Sequence, residues 1–355
     1  MTKRQNARPF VVVLTILVAL LAGASAPVRA GRQRGTLPAS LSDADFWALS
    51  ARLSEANGVF VSRSGSPDNL LSNENSISYV AADLASRVKP GGVYLGVGPE
   101  QNFTYIAAMR PAVAFITDIR RGNLQLHLMY KALFGLSATR SELVGRLFSR
   151  RAVPASTTKT TAAELMRAAD DAPAMDDAEY RANLTSIETY LTRTHALPLD
   201  KDDLDGIEYV AENFRRFGPD INYTSSINGR FGAFGSYGMI QSLTDGSGVG
   251  RTYLASDEAF TYVKNMEAKN LIVPIVGNFA GPKALRAIAA YLNAHGVVVS
   301  AFYVSNVEQY LERAGTWTTF CENVASLPLD AASIFIRPGS RVWFGSIVEE
   351  TSRCR

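Results

Sequence analysis

The sequence predicts an α/β fold, a doubly wound and mostly parallel sheet that carries a helical insertion. Short continuous apolar runs, including VYLGVG, AVAFITDI and LIVPIVGNF, are typical of parallel strands covered on both faces. These runs alternate with longer segments in which apolar residues recur at helical spacing. The chain has 355 residues, of which 47% are hydrophobic and 19% charged, as is ordinary for a globular protein. We therefore expect a single domain over residues 31–355.

The first half begins with two helices and continues as alternating strands and helices. Ser42 is a predicted N-cap of the first helix, SDADFWALSARLSEA, because a serine side chain can accept a hydrogen bond from the first turn. Pro90 and Gly91 end the second helix, SISYVAADLASRV. The strand GVYLGVG, the helix PEQNFTYIAAMR, the strand AVAFITDI and the helix GNLQLHLMYKALFGL follow in order.

The second half begins with the predicted helical insertion at about residues 137–235. The glycine-rich and aromatic stretch GRFGAFGSYGMIQSLTDGSGVGRTYLAS is expected to be an irregular loop that leads into a strand. Alternation then resumes with the strand NLIVPIVGNF, the helix GPKALRAIAAYLNAHG, the strand VVVSAFYVS, the helix NVEQYLERAG and the strands SIFIRP and RVWFGSIV. Gly296 is the predicted C-cap of the helix before VVVSAFYVS.

Residues 1–30 have the features of a signal peptide. Basic residues precede the apolar run FVVVLTILVALLAG, and VRA is typical of a cleavage site after Ala30. The alternative is an uncleaved membrane anchor, although the run is shorter than the roughly 20 residues that span a bilayer. Both interpretations predict an exported protein, periplasmic or secreted, that contacts a membrane only through an uncleaved leader.

The net charge bears on a nucleic-acid partner, and the cysteine content bears on a disulfide and on a metal site. The formal net charge falls from +3 to −1 without the leader, because the leader carries four basic residues and no acidic one. Net charge therefore does not favour a nucleic-acid partner. Cys321 and Cys354 are the two cysteines, and an oxidising compartment permits a disulfide between them, worth about 3 kcal/mol. No spacing of cysteine and histidine matches a metal motif, so we expect no metal.

Three predicted strand ends are candidate ligand sites, because ligands of open α/β sheets bind outside the carboxyl ends of the strands. They are residues 96–101, 118–121 and 277–281. Gly96 and Gly98 allow a tight turn and a close approach to a ligand. Gln101 replaces the third glycine of a dinucleotide motif, which disfavours a dinucleotide.

An acid on the second strand end fits a nucleoside ligand. Asp118 follows Gly98 by 20 residues, where a carboxylate would accept both ribose hydroxyls. Other interpretations remain open: the glycines end a strand, and Asp118 caps a helix or pairs with Arg120 or Arg121.

The order of these segments resembles class I S-adenosylmethionine-dependent methyltransferases. The stretch VYLGVGPEQNF and then AFITDIR resembles their first two strands, and LIVPIVGNF and GVVVSAFYV resemble later strands. The resemblance implies that Gly96 and Gly98 lie under the methionine part of the cofactor, that Asp118 binds the ribose and that Asn278 faces the transferred methyl group. The same segments also resemble a group of uncharacterised exported bacterial proteins.

The sequence departs from the family pattern before and after the glycine turn. The family loop is usually introduced by an acid, whereas Tyr94 or Gly96 stands there, and Glu100 two residues past Gly98 could substitute for that acid or repel the cofactor. Glu100 and Asp118 could also form an acid/base pair, or Glu100 could be a solvated loop carboxylate. Asn278 could instead cap the helix that follows it.

We therefore expect a small-molecule-binding protein, with S-adenosylmethionine as the candidate cofactor and methyl transfer to an unknown acceptor as the first enzymatic hypothesis. The alternative is an exported, non-catalytic binding or interaction module on the same scaffold, since S-adenosylmethionine is made in the cytoplasm. Phe231, Phe234 and Tyr237 would either line the pocket entrance or anchor their loop on the sheet.

Overall fold

The computed structural model describes residues 1, 36–60, 68–226, 229–230, 234–338 and 344–352. The elements in chain order are α1 (Asp43–Leu53), α2 (Ile77–Arg87), β1 (Val93–Gly96), α3 (Gln101–Met109), β2 (Val113–Asp118), α4 (Arg121–Leu136), α5 (Arg140–Leu147), α6 (Ala162–Asp171), α7 (Asp177–Thr189), α8 (Lys201–Phe217), β3 (Ser225–Ser226), β4 (Gly229–Arg230), α9 (Tyr237–Gln241), α10 (Asp257–Ala268), β5 (Ile272–Val276), α11 (Ala284–His295), β6 (Val299–Tyr303), α12 (Val307–Arg313), α13 (Trp317–Ala325), β7 (Ile334–Ile336), β8 (Phe344–Ser346) and α14 (Ile347–Ser352). A π-helical turn follows α7 and a 3-10 turn follows α8.

The centre of the fold is a six-stranded sheet in the order β5-β2-β1-β6-β7-β8. The first five strands are parallel, and β8 is antiparallel to β7. From β1 the chain moves outward through β2 to β5, then crosses to the other side of β1 to add β6 and β7. Every residue of β1, β2 and β5 is buried, as expected for strands covered on both faces. The prediction of an α/β fold with a mostly parallel sheet is confirmed.

The predicted N-cap of α1 and the predicted C-cap of α11 are both present in the structure. The Ser42 side chain accepts a hydrogen bond from the Asp45 backbone N–H at the start of α1. Gly296 ends α11 in the left-handed conformation, with a φ of 65°, which glycine adopts without a Cβ clash. The helix predicted from Pro99 begins slightly later, at Gln101.

Five α-helices lie between β2 and the small β3–β4 hairpin, and α4 packs against α8 and α10. Arg140 on α5 is fully buried. Its guanidinium donates hydrogen bonds to the carbonyl oxygens of Thr157, Thr160 and Leu254 and to the Asp257 carboxylate. One side chain therefore joins α5, the loop before α6 and the start of α10.

Two predictions in the second half were wrong in detail. The glycine-rich stretch after the insertion contains α9 and leads into helix α10, rather than directly into a strand. The predicted strand RVWFGSIV ends at Ser346, and Ile347 begins α14. Ile347 is buried, and its N–H donates to the Ser333 carbonyl.

Several expectations concern residues outside the described ranges. Residues 2–30 of the predicted leader and Cys354 lie outside the described chain. Cys321 is buried on α13, and its disulfide with Cys354 stays a prediction. No helix in the described ranges is long and apolar enough to cross a membrane.

Candidate functional site

A cavity of about 380 Å³ lies at the carboxyl ends of four parallel strands. Its walls include Val97 and Gly98 after β1, Asp118 and Ile119 at the end of β2, Gly277 and Asn278 after β5, and Tyr303 and Ser305 at the end of β6. The three strand ends chosen from the sequence thus meet at one cavity. Of the five predicted site residues, Gly98, Asp118 and Asn278 line it, whereas the lining within the described chain contains neither Gly96 nor Glu100.

The glycine turn after β1 is held by one amide side chain. Asn102 on α3 donates hydrogen bonds through Nδ2 to the carbonyl oxygens of Val97, Gly98 and Pro99, at 2.7–3.1 Å. Its Oδ1 accepts a hydrogen bond from the Tyr94 hydroxyl at 2.7 Å. Both ends of the amide are therefore satisfied, and the turn is fixed without a ligand.

The two glycines of the turn serve different purposes. A Cβ at Gly96 would lie 2.0 Å from Asn102 Oδ1, so Gly96 is required for close packing of Asn102. A Cβ at Gly98 would meet nothing closer than 3.7 Å, but Gly98 has a φ of +75°, which other residues rarely adopt. Gly96 thus supports the turn from behind, and Gly98 forms its surface at the cavity.

A buried histidine also supports the turn. His127 on α4 places Nε2 2.9 Å from the Gly98 carbonyl oxygen. Desolvation by burial lowers the pKa of His127 to about 4, despite the opposing effect of this hydrogen bond, so the neutral ring donates through Nε2–H at neutral pH.

Asp118 is buried in an ion pair with Arg120. The Nε and Nη2 atoms of Arg120 donate to the two carboxylate oxygens at 3.0 and 2.9 Å, and the Arg120 backbone N–H donates to Oδ1 at 2.9 Å. Arg120 also donates to the Asp68 carbonyl oxygen. The pairing with Arg120, one of the interpretations open from the sequence, is present in the structure. Asp118 nevertheless lines the cavity, and a carboxylate has about four lone-pair sites.

Asn278 lines the cavity from the third strand end. Its Oδ1 accepts from the Ala280 N–H at 2.9 Å, and its Nδ2 makes no hydrogen bond within the described ranges. Asn278 does not cap α11, because Glu55 from the loop after α1 accepts the N–H groups of Lys283 and Ala284. A carboxylate at this helix N-terminus is favourable, and the sequence did not indicate that pairing.

Glu100 lies behind the turn and is fully buried. Its two carboxylate oxygens each accept a hydrogen bond of 3.3 Å from the Ser72 N–H. Desolvation by burial, with a smaller contribution from the neighbouring charge of Glu74, raises the pKa of Glu100 to about 8. Glu100 is therefore not a solvated loop carboxylate.

The cavity walls combine aromatic and amide side chains. The rings come from Phe60, Tyr223, Phe279, Tyr303 and Tyr310, and the amides from Asn69, Asn73, Gln101, Asn278 and Asn306. Oε1 of Gln101 is buried and has no hydrogen-bond partner among the described residues. Asp118 is the only charged side chain among the described lining residues. A pocket of this kind suits a planar ligand with several polar edges.

The predicted aromatic loop contributes to the site indirectly. Tyr237 is a core residue, and its hydroxyl lies 2.5 Å from that of Tyr253. Phe234 is exposed and packs edge to face on Tyr223, with ring centroids 5.5 Å apart, and Tyr223 lines the cavity. Phe231 lies outside the described residues.

The fourth strand end at the cavity was not among those predicted from the sequence. Tyr303 and Ser305 lie at the end of the apolar run VVVSAFYVS, and Asn306 follows it; all three line the cavity. The rule that selected the other three strand ends applies equally to this run. The segment before α2, which supplies Asn69, Ser72 and Asn73, gave no such signal, because it belongs to no strand of the sheet.

The chain belongs to the family described as Domain of unknown function (DUF7790), which it matches over residues 70–203 and 240–350. The match includes the strand ends that form the cavity. No curated protein matches the chain. Across the described chain, no group of three or more His, Cys, Asp or Glu side chains could hold a metal ion.

Proposed function

We propose that this protein binds a small nucleoside-like molecule of the S-adenosylmethionine class in the strand-end cavity, on a doubly wound, methyltransferase-like scaffold. One observation carries the proposal: Gly98, Asp118 and Asn278, from three different strand ends, line the same cavity. The side chains there fit such a ligand, since Asp118 keeps about one of its four lone-pair sites for a ribose hydroxyl. Oε1 of Gln101, without a hydrogen-bond partner among the described residues, can accept a hydrogen bond from an amino group.

The strand order supports the scaffold. The chain starts at β1 in the middle of the sheet, fills one side with β2 and β5 and the other with β6 and β7. The order therefore reverses beside β1, and ligands of open α/β sheets bind at such a reversal. The cavity volume also falls within the range of about 300–1,000 Å³ that is typical of small-molecule sites.

Methyl transfer is the first enzymatic candidate. Bound S-adenosylmethionine would supply an activated methyl group. The chain's own contribution would be to fix the cofactor and to exclude water, because the turn is already held by Asn102 and His127 and most of the wall is apolar or aromatic.

The second candidate is an exported, non-catalytic binding module on the same scaffold. The lining favours it in one respect: its only charged side chain within the described ranges is Asp118, which is paired with Arg120. A cavity without an unpaired acid or base is suited to binding. The proposed leader also favours this candidate, since S-adenosylmethionine is made in the cytoplasm.

Calorimetric titration of the purified protein with S-adenosylmethionine and S-adenosylhomocysteine tests the proposal. We expect binding of both, weakened about 10- to 100-fold by Asp118→Asn through loss of charge-assisted hydrogen bonds. Asp170→Asn, on the exposed surface of α6, is the matched control and should bind normally. No heat with either ligand would refute the nucleoside proposal.

Two further measurements separate the candidates. Turnover with a panel of acceptors, after binding is established, would favour the enzyme, and binding without turnover would favour the module. A reporter fused after residue 40 tests export, because activity confined to the cytoplasm would contradict it.

A further inference from the structure

A second cavity, of about 550 Å³, lies beside the first. Its walls include Asn73, Glu74, Asn75, Ser76, Ser305 and Asn306. Three of these residues, Asn73, Ser305 and Asn306, also line the strand-end cavity, so the two cavities share a wall. Among the described residues, the lining of the second cavity combines amide and hydroxyl side chains, the Tyr79 ring and a single carboxylate.

That carboxylate, Glu74, is held in a fixed orientation. Its Oε1 accepts hydrogen bonds from the Tyr303 hydroxyl at 2.6 Å and from Ser305 Oγ at 2.8 Å. Its Oε2 accepts one longer bond, 3.3 Å, from the Tyr105 hydroxyl. The donors come from the end of β6 and from α3, two elements of the core. Oε2 keeps lone-pair capacity for another donor.

Glu74 has no basic side chain beside it among the described residues. The groups that face it are the phenols of Tyr94, Tyr105 and Tyr303 and the buried carboxyl of Glu100. No Lys, Arg or His belongs to the described lining of the second cavity. A carboxylate withdrawn from water without a cation is unfavourable, and burial accordingly raises the pKa of Glu74 to about 7.

We propose that the second cavity binds an organic cation, whose primary ammonium group pairs with the Glu74 carboxylate. An ammonium group has three N–H donors, which match Glu74 Oε2 and the side-chain oxygens of the shared wall. A metal ion is disfavoured, because only one carboxylate lines the cavity and no His or Cys joins it in the described part of the lining. The proposal does not depend on what the first cavity binds.

Titration calorimetry with 1,4-diaminobutane tests the proposal, and 1,4-butanediol is the uncharged control of the same length. We expect the diamine to bind and the diol to give no heat. Glu74→Gln keeps the shape but removes the charge, and it should weaken diamine binding about 10- to 100-fold. Glu258→Gln removes an exposed carboxylate that pairs with Arg110 and lines neither cavity, so diamine binding should not change.

Proton release gives a second readout on the wild-type protein. Near pH 7 part of Glu74 is protonated, and a bound cation favours the ionised form, so diamine binding releases a fraction of a proton. Titrations in buffers of different ionisation enthalpy measure that fraction. Affinity should rise from about pH 5.5 to about pH 8, because Glu74 ionises over that interval while the three phenols stay neutral.

The proposal is overturned if the diamine gives no heat, if the diol binds equally well, or if Glu74→Gln binds the diamine as tightly as the wild type. Circular dichroism checks that Glu74→Gln folds. If the variant does not fold, the diamine–diol comparison and the proton release, both measured on the wild-type protein, test the proposal. Failure of this proposal can be told apart from failure of the nucleoside proposal, because the nucleoside proposal is tested with other ligands and with a variant at Asp118.

Discussion

Replacing Gly96 by alanine should destabilise the protein more than replacing Gly98, although Gly98 is the glycine with the left-handed backbone. The new Cβ at position 96 would lie 2.0 Å from Asn102 Oδ1 and 2.9 Å from Tyr94 Cε1. Asn102 cannot swing away easily, since it is fully buried and its amide makes four hydrogen bonds. Gly98→Ala would cause backbone strain but no clash.

The magnitudes separate the two variants. Overpacking a buried site costs about 1–3 kcal/mol, and leaving buried polar groups unpaired costs about 1–3 kcal/mol more. Gly96→Ala should therefore lower the free energy of unfolding by about 2–6 kcal/mol. Gly98→Ala should lower it by about 1–2 kcal/mol, the cost of a left-handed non-glycine residue.

Urea denaturation followed by circular dichroism measures these differences. Gly122→Ala is the matched control, because Gly122 lies in α4 with open space around a new Cβ and alanine favours the helix. In an Asn102→Ala background, Gly96→Ala should lower the free energy of unfolding by about 1–3 kcal/mol less, since the nearer of the two clashing atoms is gone. Equal costs in both backgrounds, or a larger cost for Gly98→Ala, would refute the packing argument.

Three further predictions concern buried charged or titratable groups. Glu100→Gln should raise the free energy of unfolding at about pH 8 but not at about pH 5. The pKa of Glu100 in the folded state, about 8, lies above its usual 4.5, so the wild type loses stability as the pH rises through that interval. Equal changes at both pH values in urea denaturation would contradict this. Arg140→Met should cost about 3–5 kcal/mol, because it leaves buried carbonyl groups unpaired, and a urea midpoint close to the wild type would be the contrary result. His127→Phe should lower the melting temperature more at about pH 7 than at about pH 5. The pKa of His127 is lowered in the folded state, so the wild type itself loses stability as the pH falls below about 6.5. A difference in melting temperature that does not change with pH would argue against this.

Patterns along the chain predicted the sheet well, because burial of parallel strands requires continuous apolar runs. The runs at β1, β2 and β5 were identified with nearly their observed limits. The C-terminal part was harder, since Ile347 is as apolar as a strand residue. Ile347 instead begins α14, which packs against α13, and no local pattern records that contact.

The candidate site could be predicted in part. The rule for strand ends found Gly98, Asp118 and Asn278, which line one cavity. The same rule did not distinguish Gly98, at the surface of the cavity, from Gly96, behind the turn. Their roles depend on where Asn102 packs, and that follows from the position of α3 against β1.

The sequence by itself determined the α/β class, the strands and the glycine turn, because each depends on residues that are neighbours along the chain. Only the tertiary structure decided which charges are paired. Glu55 caps a helix more than 200 residues away, and Glu74 meets Tyr303 and Ser305 with no cation beside it among the described residues. Such pairings depend on how the helices and loops pack around the sheet, since packing brings together polar groups that no local spacing connects.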